Sequence, residues 1–82
     1  MNQEFNTVSY PAKFTKETDG AYSVTFRDIP EAITQGDTLE EAKQMAGFAL
    51  DTAFLFYREY VRHIPAPTAP EEGEILITVK RP

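Results

Sequence analysis

The alternation of apolar and polar residues that marks most of Thr7 to Gln35 stops at Gly36-Asp37, and from Thr38 the apolar residues recur every three to four positions. A period of 2 belongs to strands and one of 3.6 to helices, so the chain must pass from sheet to helix at that point. Thr38-Leu39-Glu40-Glu41 has the form of a capping box, in which the Thr38 hydroxyl accepts from the Glu41 amide and the Glu41 carboxylate reaches back. Asp37, Glu40 and Glu41 also complement the positive end of a helix. The spacing predicts one helix from Thr38 to His63. Leu39, Ala42, Ala46, Ala49, Leu50, Ala53, Tyr57 and Tyr60 form the stripe that should lie on the sheet, with the alanines permitting close approach. Phe54 and Phe56 flank it. Phe48 and Leu55 point the other way and are read as an oligomer or partner contact. Gly47 costs about 1 kcal/mol relative to alanine inside a helix, and close approach of another chain would explain it. Arg58, Arg62 and His63 suit the negative helix end.

Upstream, Val8, Tyr10, Ala12 and Phe14 alternate with Ser9, Pro11, Lys13 and Thr15, predicting a strand over Thr7 to Lys16 after a fraying Met1 to Asn6. Pro11 cannot donate to a ladder, so the strand has a free edge or a bulge there. Glu17 to Gly20 forms a turn with Gly20 at positive φ, and Tyr22, Val24 and Phe26 belong to the second strand of a hairpin. Arg27 to Glu31 breaks the alternation, since Pro30 lacks a donor and Asp28 favours a turn. A short third strand covers Ala32 to Gln35. Beyond the helix, Pro65, Pro67 and Pro70 impose an extended crossing from Ile64 to Glu72, followed by a last strand from Glu74 to Val79. The expected fold is α+β: β-β-β-α-β, a three-stranded antiparallel meander plus a fourth strand, with one long helix packed on the sheet.

A chain of 82 residues is expected to be a single domain, and a core this small commonly needs outside support. With no cysteine and one histidine, disulfides and most zinc sites are excluded, which leaves self-association, at least a dimer. The net charge of −5 disfavours direct nucleic-acid binding and fits a basic protein partner. No signal peptide or membrane span is visible, and a cytoplasmic location is expected.

Three stretches together carry a resemblance: Tyr10-Pro11-Ala12; Asp19-Gly20-Ala21-Tyr22 through Asp28-Ile29-Pro30; and Thr34-Gln35-Gly36-Asp37-Thr38-Leu39-Glu40-Glu41-Ala42. The chain resembles the HicB antitoxin family of bacterial toxin–antitoxin systems from about Tyr10 to Val79, with Ile64-Pro65-Ala66-Pro67 fitting the family's helix exit. The resemblance implies a partial RNase H-like fold without catalysis. It also implies a HicA-like partner, a small basic toxin that cleaves messenger RNA. Members commonly add a C-terminal DNA-binding segment. This sequence ends at Lys80-Arg81-Pro82, leaving no room for one, so promoter DNA is not expected as a ligand of the chain as it stands.

Residue chemistry agrees with a non-enzymatic role. A metal-dependent site of the RNase H type needs several converging carboxylates, one normally on the first strand, and Thr7 to Lys16 contains none. Asp19, Asp28, Asp37, Glu40 and Glu41 have turn and capping roles. His63 lacks a nucleophile to pair with, and the glycines are too dispersed to cradle a phosphate. No cofactor or metal is expected. The candidate partner contact is Phe26, Asp28, Ile29, Pro30 and Glu31, an aromatic, two carboxylates and an Ile-Pro pair expected to be exposed on a loop. The rival readings are a stand-alone oligomeric binding module and a residual RNase H-like nuclease.

Overall fold

The computed structural model describes residues 6–61 and 63–82. Four strands, β1 (Thr7–Lys16), β2 (Tyr22–Phe26), β3 (Ile33–Gly36) and β4 (Ile75–Lys80), form one antiparallel sheet in the order β3-β2-β1-β4. The helix α1 (Leu39–Phe56) lies across one face and continues into a π-helical turn, Tyr57–Val61. This is the expected α+β arrangement, and β4 returns beside β1, on the side away from the hairpin. At Pro11 only the β4 ladder is present, because pairing with β2 begins at Ala12. That free side accommodates a residue without an N–H. Gly20 turns the hairpin at φ 94°.

Tyr10, Ala12, Val24, Phe26 and Ile77 project from the sheet onto Ala42, Ala46, Leu50, Ala53, Phe54 and Tyr57 of the helix and its extension, and all are buried. Phe54, expected on the flank, is inside, with its ring 5.9 Å from that of Tyr10. The alanine stripe serves the close approach predicted for it, and Gly36 completes it. A Cβ at Gly36 would stand 2.5 Å from the Ala42 backbone nitrogen. The cap forms as expected, with the Glu41 amide 3.1 Å from the Thr38 hydroxyl, although the Glu41 carboxylate reaches one residue further back, to the Asp37 N–H at 2.8 Å.

Several expectations are corrected. The helix does not run to His63: the α-helical part ends at Phe56, and the Tyr57 N–H is shared between the Ala53 and Phe54 carbonyls. A π turn takes more residues per revolution, so each residue advances less than 100°. Tyr60 therefore falls short of the core face and is 66 % exposed. His63 lies beyond the turn and is exposed. Arg62, also assigned to the helix end, is outside the described residues. β3 begins one residue late because the Ala32 N–H closes a turn on the Ile29 carbonyl at 2.9 Å. β4 also starts one residue late, because Glu74 closes a turn on Glu71 at 3.0 Å with Gly73 at φ 86°. The fraying expected at the N-terminus falls on residues 1–5, outside the described residues, while the Asn6 carbonyl is held by the Arg81 N–H at 2.5 Å. Gly47 has a neighbour within the chain. Its missing Cβ would point at Val79 of β4, 3.8 Å away.

The two glycines should respond oppositely to alanine. Gly36→Ala forces backbone apart and is expected to cost about 1–3 kcal/mol. Gly47→Ala meets ordinary contact and should stabilise by about 0.5–1 kcal/mol. Urea unfolding of both variants measures this, and a destabilised Gly47→Ala would contradict the packing described.

Candidate protein-interaction site

The segment after β2 is built from the inside outwards. Phe26 ends the strand in the core, and the Ile29–Ala32 turn folds Ile29 back beneath the sheet, where it is fully buried. The expectation of an exposed Ile29 is therefore overturned, and neither Phe26 nor Ile29 presents a surface. Pro30 and Glu31, at the apex of the turn, are the exposed members. Glu31 accepts a 2.5 Å hydrogen bond from the Tyr57 hydroxyl. Burial, and then this bond, push the Tyr57 phenol up to about 12. The phenol thus stays a donor at neutral pH.

Arg27 and Asp28 hold the proline-marked crossing as a clasp holds a strap. The Arg27 guanidinium donates to both Glu74 carboxylate oxygens, at 2.6 and 3.3 Å, to the Ala69 carbonyl at 2.9 Å, and to the Thr68 hydroxyl. The Asp28 carboxylate accepts from the Thr68 N–H at 2.9 Å and from its hydroxyl at 3.0 Å. Only 8 % of the Asp28 side chain is exposed. Its carboxylate is committed to positioning the strap. The Arg27 hydrogen bond, followed by the Glu71 amide, holds the Glu74 carboxyl below its ordinary 4.5.

A second surface lies where α1 passes over β3, one of the two edge strands. The helix flank and the strand enclose an open groove of about 440 Å³ lined by Glu31, Ile33, Thr34, Met45, Phe48, Ala49, Thr52, Ala53 and Phe56. Ile33, Phe48 and Phe56 remain 67, 63 and 42 % exposed. Phe48 belongs to the groove. Leu55, its expected companion, is 55 % exposed on the helix back and is not part of the lining.

Among the described residues, no three His, Asp or Glu side chains lie close enough together to hold a metal ion. The carboxylates are dispersed in local roles: Asp19 accepts from the Ala21 N–H at 3.0 Å and Glu17 from the Ser23 hydroxyl at 2.6 Å. No helix among the described residues is long and apolar enough to cross a membrane. What the molecule offers is surface: an acidic exterior, an anchored loop and an apolar groove.

A family model described as the HicB-like antitoxin of a bacterial toxin–antitoxin system matches residues 9–80. The chain belongs to this antitoxin family. Antitoxin HicB 2 of Photorhabdus laumondii is 51 % identical over 70 residues, 85 % of this chain and 48 % of the relative. Antitoxin HicB 1 of the same organism is 55 % identical over 58 residues, 71 % of this chain and 37 % of its own length. Antitoxin HicB of Escherichia coli K12 is 51 % identical over 70 residues, covering 85 % and 51 %. The chain thus spans about half the length, or less, of the curated HicB relatives it matches.

For this HicB-like chain, residue patterns alone miss Ile33, Met45 and Phe56 as members of one groove. Their grouping depends on β3 being outermost, which follows from β4 pairing with β1. Phe48 is the member that the helical spacing marks as an outward contact, whereas Ala49 and Ala53 are expected against the sheet.

The strap clasp has a pH signature. Because the folded-state carboxyl of Glu74 is depressed, its stabilisation is fully present above 4.5 and is lost as pH falls from there through the lowered value. Glu74→Gln should therefore be less stable than the wild type at pH 7, with the gap in urea midpoint narrowing as pH falls below 4.5. A gap that persists unchanged at pH 3 would show that the carboxylate charge is not what holds the strap.

Proposed function

We propose that this chain is the toxin-binding part of an antitoxin, neutralising a HicA-like, mRNA-cleaving toxin by direct binding. In this reading it has no catalysis of its own, is cytoplasmic, acts as a dimer or larger assembly, and forms one domain of partial RNase H-like type. The observation that carries the reading is family membership across residues 9–80, shared with proteins named as HicB antitoxins.

The physical chemistry of the surface supports a basic protein partner. The chain carries a net charge of −5, and its exposed carboxylates ring the hairpin turn, the helix start and the strap. Such a field raises the association rate and selectivity for a basic partner, while affinity needs a desolvated apolar centre. The contact assigned is the Phe26–Glu31 segment. Pro30 and Glu31 form its surface, Asp28 ties it to the strap, and Phe26 and Ile29 hold it from within. A preformed loop of this kind loses little conformational entropy on binding. Promoter DNA is not a ligand in this reading, because phosphate binding needs clustered cations.

The test is RNA cleavage by the purified HicA-like toxin in the presence of this chain. Cleavage should stop near equimolar antitoxin, and Glu31→Lys should weaken inhibition severalfold at low salt. Undiminished cleavage at excess chain would overturn the assignment.

A further inference from the structure

The groove beside β3 differs from the rest of the exterior in charge. Of its nine lining residues only Glu31 is ionisable, and the strand next to it, Ile33-Thr34-Gln35-Gly36, carries no charge and no proline. An outermost strand offers a row of unpaired N–H and C=O groups, and soluble proteins usually guard such an edge with charge, proline or a covering element. Here none of these is present on the strand. A basic partner would be drawn to the carboxylate-rich parts of the surface rather than to this patch. A second acidic copy, by contrast, approaches most readily where like charges are fewest. Both described chain ends lie at the opposite edge, where the Arg81 N–H bonds the Asn6 carbonyl beside the β1–β4 pair, so no described terminal residue lies on β3.

We infer that β3 and its groove are the self-association surface of this protein: two copies pair their β3 strands antiparallel about a two-fold axis normal to the sheet. The inference rests on the self-association part of the proposed function and supplies its location. Directly opposed residues on antiparallel strands share a face. Thr34, paired with Val24, faces the helix, while Ile33, paired with Thr25, and Gln35, paired with Ser23, face away. The axis must therefore pass through Thr34 or through Gln35. With Thr34 on the axis, Ile33 stands opposite Gln35 of the second copy, and like charges approach only beyond the strand ends, where Glu31 of one copy falls level with Asp37 of the other. The four strands of each copy join into one continuous sheet with both helices on the same face. The two grooves merge, and Phe48 and Phe56 of each copy close over a shared apolar channel. Pairing satisfies the edge backbone, the two phenylalanines are covered on the helix face, and Ile33 packs beside Gln35 of the second copy on the opposite face, which together remove exposed apolar surface from water.

Sedimentation analysis of the full chain, with and without about 0.5 M salt, tests this. The wild type should be a dimer at tens of micromolar that salt does not weaken, because no ion pair crosses the interface. Ile33→Lys and Phe48→Glu, both at exposed positions, should raise the dimer dissociation constant at least about tenfold while melting like the wild type. Leu76→Lys, on the opposite edge strand and 49 % exposed, should leave the dimer intact. If Phe48→Glu fails to fold, Ile33→Lys decides, since its side chain lies outside the core. A dimer broken by Leu76→Lys and indifferent to Ile33→Lys would refute the surface while leaving self-association standing. A wild type monomeric at every concentration would refute both, leaving the toxin reading to the cleavage assay alone.

Discussion

Between Gly36 and Ala42 the helix backbone lies against the backbone of the outermost strand with no side chain between them, and a Cβ at Gly36 would stand 2.5 Å from the Ala42 nitrogen. That approach sets the height of α1 above the sheet. It requires small residues at the next contacts, which Ala46 and Ala53 provide, while Leu50 and, further along, Phe54 and Tyr57 fill the core. The cap on Thr38 and Glu41 secures the same end by satisfying N–H groups that the approach would otherwise leave without partners. A helix so tightly fixed at one end of β3 leaves its flank standing over the other end of the strand. The groove bounded by Phe48, Phe56 and Ile33 is the space that results.

At the far end the constraint is ionic. Arg27 and Asp28, adjacent in sequence, take hold of Thr68, Ala69 and Glu74, 40 to 47 residues later in the chain. This brings the strap back to the sheet and starts β4 in register against β1. The Phe26–Glu31 segment is thereby rigid from both sides, its apolar members inside and its polar ones committed or presented. The same residues that look like a binding motif in one dimension divide in three dimensions into scaffold and surface.

That division marks the limit of what residue order conveys. β1, β2, the Gly20 turn, the capping box and the alanine stripe are local patterns whose periodicity states which face is buried. The burial of Ile29 is not local. It depends on a turn closing at Ala32, and Ile-Pro beside two carboxylates looks like an exposed loop until that bond is known. Gly47 calls for a neighbour, and that neighbour is Val79 of the same chain. The edge position of β3 is a property of strand order, to which its own four residues contribute only by lacking charge. The early end of α1 reflects a π turn that keeps Tyr57 in the core against Glu31, a tertiary requirement that overrides helical spacing.

The two proposals give different partners to neighbouring surfaces of this antitoxin-family chain: a basic toxin to the acidic exterior and its anchored loop, and a second copy to the β3 edge, with Glu31 at the boundary between them. Hydrogen exchange read by mass spectrometry tests that separation most directly, with the chain dilute, concentrated, and saturated with a HicA-like toxin. Concentration alone should slow exchange at Ile33–Gly36 and along the groove flank of α1, and toxin should add protection around Arg27–Ala32 without changing β3. Toxin-dependent protection centred on β3, in a chain whose β3 exchanges equally fast at every concentration, would contradict the account.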